Sequence, residues 1–366
     1  MRTRRLKIKA FSFALAFIMA ASLPGCSPKE YQIATGYLDF DFALTNESLF
    51  APLPIEEPPP ALPRALVSFA GDCTFSNMQG LSAFNSVYDS EGPAYFLSGV
   101  YDVFAHDDLT VVNLEGPLTT STTRIDKWDE DDEREDEYGV PTAFWFKAPP
   151  DYVRILTSGS VEVCNLANNH TMDYGYEGFY ETQQVLYDAG IDYFAWDETL
   201  VREANGIRIG FFGLAYTSDP DYIYSVMSWL WSEGAEVIVA YFHDGIEGSY
   251  YPYDNQIAAA YTAIDYGASA VIMSHPHVIQ GIEEYNGGFI AYSLGNFCYG
   301  GHTNPSDKDS MIVQLEFIRT DNGITCTPHI IPCSISSTPW TNDYRPTVLD
   351  GEEGQRVLDK IAQYSR

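Results

Sequence analysis

Basic residues are scarce in this chain of 366 residues, which has 20 Lys and Arg against 51 Asp and Glu. The formal net charge of −31 argues against nucleic acid or an anionic membrane surface as a partner of the globular part, because both would repel it. The same charge suits the binding of cations. Apolar residues make up 45% of the chain, which is enough for a substantial core and excludes a disordered protein.

Cysteine is also rare, with 6 in the whole chain. Apart from Cys26, which belongs to the N-terminal segment, the five others are Cys73, Cys164, Cys298, Cys326 and Cys333. An odd number cannot all pair, so at most two disulfides could form. We expect all five to be small buried residues at strand ends.

The apolar run near the N-terminus, Ala10–Ala21, is too short to span a membrane comfortably as a mature helix. It follows a basic segment and ends in Leu-Pro-Gly-Cys at Cys26, so residues 1–26 resemble the signal peptide of a bacterial lipoprotein, with Cys26 as the lipidated residue. The alternatives are an ordinary cleaved signal and an uncleaved anchor. This interpretation places the mature protein on the extracytoplasmic face of the bacterial cell membrane.

The rest of the chain divides by composition. Residues 27–64 are rich in proline and are predicted to form a tether that lifts the domain off the membrane. Residues 65–345 are predicted to form the main domain, and residues 346–366 a C-terminal helix. The acidic run Asp126–Glu137 is predicted to be a solvated loop, since it lacks the ligand spacing of a calcium loop.

Within the main domain, strand patterns alternate with helix patterns, and the last part consists of hairpins. Strands are predicted at Ala65–Ala70, Leu109–Val112, Val161–Leu166, Leu200–Ala204, Ile207–Leu214, Val237–Tyr241 and Ala270–Met273, with helices at Gly92–His106, Asp151–Ser158, Gly175–Ala189 and Asn255–Gly267. Hairpin turns are predicted at Asn205-Gly206, Asn286-Gly287-Gly288 and Asp321-Asn322-Gly323. The pattern predicts an α/β fold, with parallel strands early and antiparallel strands late.

Polar residues able to bind a metal follow the predicted strands: Asp72, Glu115, Asn169, His243, His275 and His277. The carboxyl ends of parallel strands line one crevice, so these residues are expected to meet. His275 and His277 flank Pro276, and in an extended backbone their side chains would point the same way. Each residue alone could equally be a turn former, a helix cap, a solvated charge or a core histidine.

Carboxylate, amide and imidazole together suit a dinuclear site for zinc, manganese or iron better than a structural zinc site, which favours cysteine. A carboxylate such as Glu115 can bridge two ions about 3.5–4 Å apart. Such pairs activate water, so the set of residues indicates hydrolytic chemistry.

Six motifs in this order resemble the CapA/PgsA-type family of poly-γ-glutamate capsule-synthesis proteins, which is related to the calcineurin-like metallophosphoesterases. The motifs are Gly71-Asp72, Asn113-Leu114-Glu115-Gly116-Pro117-Leu118, Ala167-Asn168-Asn169-His170-Thr171-Met172-Asp173-Tyr174-Gly175, His243-Asp244-Gly245-Ile246-Glu247, His275-Pro276-His277-Val278 and Tyr292-Ser293-Leu294-Gly295-Asn296-Phe297. The resemblance covers about Leu66 to Phe317. It implies a four-layer α/β/β/α sandwich of the metallophosphoesterase type, with mixed sheets.

The resemblance also implies a role for each motif residue. Asp72 and His277 would hold one divalent metal ion, Asn169, His243 and His275 a second, and Glu115 would bridge them. His170 would act as general acid or transition-state stabiliser and Asp173 would orient it, while Asn168, Glu247 and Asn296 would contact substrate. Thr74 stands where the wider superfamily has a histidine ligand, and Glu115 where it has aspartate.

By resemblance, the chain is expected to act in the synthesis, export or release of an anionic cell-surface polymer, poly-γ-glutamate. Two other functions stay open: a non-catalytic accessory subunit that holds the polymer or a membrane polymer synthase, and a general phosphodiesterase. The scarcity of basic residues conflicts with a long polyanion on the bare surface. Polymer contacts would therefore concentrate at the metals and at Arg124, Lys147 or Arg154.

Overall fold

The computed structural model describes residues 62–76, 83–127, 143–216 and 219–366. The predicted signal peptide, Cys26, and the predicted tether up to residue 61 lie outside these ranges, as does most of the acidic run Asp126–Glu137. Residues Pro60–Arg366 form one unit by their internal contacts. No helix in the described part of the chain combines the length and apolar character needed to cross a membrane.

Two sheets form the framework of this unit. The strands are β1 (Arg64–Thr74), β2 (Leu109–Leu114), β3 (Val163–Asn165), β4 (Asp192–Phe194), β5 (Leu200–Ala204), β6 (Ile207–Ala215), β7 (Val237–His243), β8 (Ala270–Ser274), β9 (Ile282–Tyr285), β10 (Gly288–Ala291), β11 (Asn296–Tyr299), β12 (Asp309–Thr320), β13 (Gly323–Ser334) and β14 (Thr347–Val348). The first sheet has the order β14-β13-β12-β1-β2-β3-β4, with β11 also paired to β1, and the second has the order β5-β6-β7-β8-β10-β9. In both sheets the central strands are parallel and the late hairpin strands antiparallel, as predicted.

Within the described residues, seven α-helices accompany the two sheets. They are α1 (Ala83–Glu91), α2 (Tyr101–Phe104), α3 (Val153–Ser158), α4 (Gly175–Ala189), α5 (Pro220–Ser232), α6 (Asp254–Asp265) and α7 (Gly351–Tyr364). Apolar residues of α1 to α4 pack on the outer face of the first sheet, and those of α5 and α6 on the outer face of the second. A third apolar cluster fills the space between the sheets. The four-layer α/β/β/α sandwich is therefore confirmed.

The predicted helix Gly92–His106 is wrong over most of its length. The chain instead makes a single 3-10 turn at Pro93–Tyr95 and only the short α2. Gly92 has a φ of 78°, which a continuing right-handed helix excludes. Gly99 lies so close to the segment before β14 that an added Cβ would be 2.5 Å from the carbonyl oxygen of Pro346. Helices α1 and α5 and strand β4 were not predicted from the sequence.

The cysteine prediction is confirmed for four of the five residues. Cys73, Cys164, Cys298 and Cys333 are buried, Cys326 is half-buried, and all five are free thiols. Burial raises the pKa of Cys73 and of Cys333 to about 12. They therefore behave as small apolar residues and not as nucleophiles.

Two glycines allow the end of β1 to lie very close to the residues just before β11. A Cβ on Gly71 would lie 1.9 Å from the carbonyl oxygen of Gly295, and Gly295 itself has a φ of 74°. The amide of Asp72 donates to that same carbonyl oxygen, at 3.1 Å. This contact joins β1 to β11 in parallel and places Asp72 opposite Asn296.

Helix α7 is attached to β12 by charge. The Asp309 carboxylate accepts hydrogen bonds from Arg356, at 2.8 and 2.7 Å, and from Lys360 Nζ, at 2.8 Å. Burial raises the pKa of Asp309, but these hydrogen bonds outweigh burial and hold the pKa below its ordinary value. The same helix contributes Val357 and Ile361 to the apolar cluster between the sheets.

We expect Asp309→Asn to lower the free energy of unfolding by about 2 kcal/mol at pH 7, because charged hydrogen bonds to a largely buried group are lost. A depressed folded-state pKa stabilises only above the unfolded pKa of about 3.9, so the difference from wild type should shrink as the pH falls below about 4. Urea denaturation across this pH range measures both effects. Glu353→Gln is the control, since Glu353 contacts the same Arg356 but is 68% exposed, and should change stability by less than about 1 kcal/mol. Equal losses in the two variants would contradict the assignment.

Candidate metal centre

The predicted metal ligands lie at the carboxyl ends of parallel strands, where the two sheets face each other. Asp72 lies near the end of β1, Glu115 directly follows β2, and Asn169 follows β3. From the second sheet, His243 ends β7, while His275 and His277 follow β8. Separation along the chain thus becomes proximity in space, as expected at this edge of an α/β sheet.

One group of donors consists of Asp72, Glu115 and His277, with one donor atom from each within 4.8 Å of the other two. The His277 Nδ1 lies 3.2 Å from Asp72 Oδ2, and the His277 Nε2 lies 3.9 Å from Glu115 Oε1. Two carboxylates and an imidazole are a suitable donor set for a divalent transition metal.

A second group consists of Glu115, His243 and His275, also with donor atoms within 4.8 Å of one another. The His243 Nε2 is 3.5 Å from Glu115 Oε1, 3.2 Å from His275 Nδ1 and 2.9 Å from Asn169 Oδ1. Glu115 Oε1 is therefore near the histidines of both groups. Glu115 could thus be shared between two ions, one held by each group.

The buried carboxylates call for a cation at this point. Asp72 Oδ2 and Glu115 Oε1 are both buried, and among the described residues neither accepts a hydrogen bond of good geometry, although His277 Nδ1 and His243 Nε2 lie 3.2 and 3.5 Å away. Such atoms are costly to bury uncompensated. Burial raises the pKa of Glu115, but His277 and His243 outweigh it and hold the pKa well below its ordinary value. Burial lowers the pKa of His277, yet Glu115 and Asp72 raise it to about 10. The donors thus fit divalent metal ions.

Among the predicted ligands, His275 is a neutral imidazole. Burial, followed by the proximity of His243 and His277, lowers the pKa of His275 to about 2. Metals bind the neutral form of histidine, so His275 needs to lose no proton on binding.

A hydrogen-bonded network of asparagines contacts two of the predicted ligands, Asp72 and His243. Asn113 donates to Asp72 Oδ1 at 2.8 Å and lies 3.2 Å from His243 Nδ1, while its own oxygen accepts from Asn165 and Asn168. Thr74 donates to Glu115 Oε2 at 2.7 Å, which leaves Oε1 turned toward the histidines. Thr74 is thus placed to orient Glu115.

The prediction that His275 and His277 project from an extended backbone is wrong. Their φ angles are 106° and 58°, in the left-handed region. Residues other than glycine occupy this region at a cost of order 1–3 kcal/mol, and such strain concentrates at functional sites. The two rings still face the same space, with centroids 5.9 Å apart, but a tight turn after β8 achieves this.

The predicted catalytic pair lies beside the metal donors. His170 Nδ1 is 2.8 Å from Asp173 Oδ2, and Asp173 is completely buried. The backbone amide of Phe146 donates to the same carboxylate oxygen at 2.6 Å, and the Phe146 ring lies against the His170 ring. His170 also contributes to the lowered pKa of both Glu115 and His275, so it belongs to the same electrostatic site.

Sequence reasoning missed Lys127 as a part of this site. Its Nζ forms an ion pair with Asp173, lies 3.3 Å from His170 Nδ1 and donates to the carbonyl oxygen of Phe144 at 2.8 Å. In the sequence, Lys127 only interrupts an acidic run, so no local signal marks it. The importance of Asn113 was easier to find, since it opens the motif that contains Glu115.

The three predicted substrate contacts have different surroundings. Glu247 is exposed, and its carboxylate lies within 4.8 Å of donor nitrogens of His275 and His277. Asn168 is buried, and its amide contacts Asn113, His170 and the Leu114 carbonyl oxygen. Asn296 contacts His277 through both amide atoms, at 2.9 and 3.0 Å. Contact of these residues with substrate stays a prediction, and the two asparagines are placed where they hold catalytic and ligand histidines.

Residues 66–300 match the sequence model of the family described as bacterial capsule synthesis protein PGA_cap. The chain belongs to this family. The match contains every predicted metal ligand and both members of the predicted catalytic pair. The match ends before β12, so the strands β12, β13 and β14 of the first sheet lie beyond it.

Curated relatives and a solved structure are similar to this chain. The capsule biosynthesis protein CapA of Bacillus anthracis is 30% identical over 58% of this chain and 57% of its own length. The PGA biosynthesis protein CapA of Bacillus subtilis is 28% identical over 70% of this chain and 68% of its own length. A calcineurin-like phosphoesterase of Bacillus subtilis, YfkN, has a crystal structure that is 14% identical with a TM-score of 0.45, covering 82% of this chain and 97% of that chain.

We expect removal of divalent metal by chelation to lower the melting temperature, since ions that bind only the folded chain stabilise it by mass action, by about 2.7 kcal/mol at 100 times Kd. Calorimetry of the purified PGA_cap family member with and without zinc or manganese measures the effect, and elemental analysis counts the ions. His243→Ala should reduce the metal content, whereas His106→Ala, an exposed histidine bound to the Asp102 carbonyl oxygen, should not. Less than about one ion per chain after reconstitution would count against two ions bridged by Glu115.

Proposed function

We propose that this chain is a metal-dependent hydrolase-like protein that acts in the synthesis, export or release of poly-γ-glutamate, an anionic capsule polymer. Its family membership and the names of its two Bacillus relatives support poly-γ-glutamate as the polymer. The observation that carries the hydrolytic part is the position of Glu115 Oε1 between two groups of metal donors. The bond cleaved would be a phosphoester or a γ-glutamyl amide.

Asp72, His277 and Glu115 would hold one ion, and Glu115, His243, His275 and Asn169 a second. When bound, a pair of divalent ions supplies an activated water and positive charge for the transition state. The identity of the ions is proposed as zinc, manganese or iron, from the mixed carboxylate, amide and imidazole donors.

His170 is proposed as the general acid or as a stabiliser of the transition state. Its Nδ1 is held by Asp173, so Nε2 is left to exchange a proton with the substrate. Lys127 compensates the charge of the Asp173 carboxylate, which is fully buried. The imidazole orientation is therefore fixed before any substrate binds, and this lowers the cost of reaching the transition state.

The net charge of −31 would repel a polyanion, so polymer contacts need local positive charge. Arg124 lies over the Trp145 ring and Lys147 over the Tyr174 ring, on the segments that also hold Asp173. Arg154 is on α3 and pairs with Asp151. We therefore propose Arg124 and Lys147 as the polymer contacts next to the metal centre.

A second candidate function is a non-catalytic subunit that uses the metal centre to hold the polymer or to assemble with a membrane synthase. Thr74 favours it, because its hydroxyl is hydrogen-bonded to Glu115 where the wider superfamily has a metal-binding histidine. The first ion would then have one protein ligand fewer, which weakens the case for ordinary phosphoesterase activity.

His170→Ala separates the two functions. An enzyme should lose about 10²- to 10⁴-fold in turnover, with its fold and metal content unchanged, because only proton transfer is removed. The measurement is polymer chain length and release in cells that carry the variant, with elemental analysis of the purified protein. His106→Ala serves as the matched control. If His170→Ala complements fully while His243→Ala does not, binding supported by the metal is the function and catalysis is not.

We also propose that the chain is anchored to the extracytoplasmic face of the membrane through a lipid on Cys26. Each buried methylene of an acyl chain contributes about 0.8 kcal/mol, so two or more chains give stable attachment. The proline-rich residues 27–64 would hold a strongly acidic domain away from the membrane surface that repels it.

Cys26→Ser should release the protein into the medium or leave it as an unprocessed precursor, because the acceptor of the lipid is lost. Cell fractionation of the wild type and the variant measures this, and Cys326→Ser is the control. Mass spectrometry that finds an N-terminus other than a lipid-modified Cys26 would contradict the anchor.

A further inference from the structure

The loop between β7 and α6 lies directly against the turn that follows β8. The amide of Gly248 donates to the carbonyl oxygen of Pro276 at 2.8 Å. Gly245 approaches the same residue so closely that an added Cβ would be 2.6 Å from Pro276 Cγ. Glu247 lies between these two glycines in the chain, so its backbone is fixed next to the turn that carries two of the predicted ligand histidines.

The side chain of Glu247 completes a third group of metal donors. One of its carboxylate oxygens and one nitrogen each of His275 and His277 lie within 4.8 Å of one another. Glu247 is exposed whereas His275 is buried, so the carboxylate lies on the open side of the centre. Burial lowers the pKa of His277, but three carboxylates outweigh it, and Glu247 is one of them. The charge of Glu247 therefore acts on the same space as the other donors.

The two donor groups that contain Glu115 differ in size. The group with His243 has a fourth donor, because Asn169 Oδ1 lies 2.9 Å from His243 Nε2. The group with Asp72 and His277 has three donors. Divalent transition metals bind about four to six ligands. An ion in the smaller group therefore has room for another carboxylate.

His277 belongs both to this smaller group and to the group that contains Glu247. We propose that Glu247 is a metal ligand, which supplies a further carboxylate to the ion held by Asp72 and His277. The proposal rests on the metal centre of the proposed function. With Glu115 counted for both ions, each ion then has four protein ligands, and Glu247 binds metal where the sequence predicts a contact with substrate.

The test is the zinc affinity of Glu247→Ala, with Glu203→Ala as the matched control. Glu203 is also exposed, but it pairs with Arg208 just inside the start of β6, at the end of the sheet away from the metal donors. Even residues that only hydrogen-bond a ligand contribute about 10- to 100-fold to metal affinity. In competition with a chromogenic chelator, Glu247→Ala should therefore bind one of two zinc ions at least about 10-fold more weakly than wild type. The control should bind both ions as wild type does.

Cobalt distinguishes a ligand from a charge that is merely nearby. The visible absorption of bound cobalt depends on the atoms that coordinate it, so Glu247→Ala should change the bands of the cobalt-loaded protein and Glu203→Ala should not. The metal-free Glu247→Ala protein should melt at the wild-type temperature, because the side chain is exposed.

Wild-type zinc affinity or an unchanged cobalt spectrum in Glu247→Ala would overturn the proposal and leave the metal centre intact. Three zinc ions in the wild type and two in the variant would also overturn it, because Glu247 would then hold an ion of its own. A lower melting temperature of the metal-free variant would do the same, since the role would be structural. Failure of the wild type to bind zinc, manganese or iron would instead refute the proposed function itself.

Discussion

Two buried carboxylates without full hydrogen bonding, Asp72 and Glu115, are the constraint on which the rest of the site depends. In a space closed to water, their charge has to be balanced by a cation. The surrounding residues are arranged to that end: Asn113 and Thr74 each bind one carboxylate oxygen and leave the other oriented toward the histidines. The pKa of His277 is raised for the same reason, since the nearby carboxylates of Glu115 and Asp72 favour its protonated form.

The residues of the candidate metal centre come from both sheets. The first sheet contributes both carboxylates, the predicted catalytic pair and Asn169, and the second contributes the three histidines predicted as ligands. Each of the two donor groups that contain Glu115 takes donors from both sheets. The apolar cluster between the sheets therefore stabilises the metal centre, because its packing fixes the distance between the carboxylates and the imidazoles.

Much of this arrangement could be predicted from the sequence, because strands and hairpins leave local patterns. The hairpin turn at Asn205-Gly206 separates β5 and β6 as predicted, and helix α4 has the predicted bounds Gly175–Ala189. The metal donors were predictable because they follow apolar strands. Lys127 was not, since its role arises from a contact between segments distant in sequence. The left-handed backbone of His275 likewise follows from tertiary packing and not from local preference.

The pairing of β1 with β12 has a consequence for the order in which the chain folds. Residues Arg64–Phe69 are hydrogen-bonded to Val313–Ile318, from nearly the opposite end of the polypeptide, and β12 lies beyond the stretch that matches the family. The strand that bears Asp72 thus stays unpaired along one edge until almost all of the chain is available. Such long-range closure slows folding and leaves an edge open to aggregation.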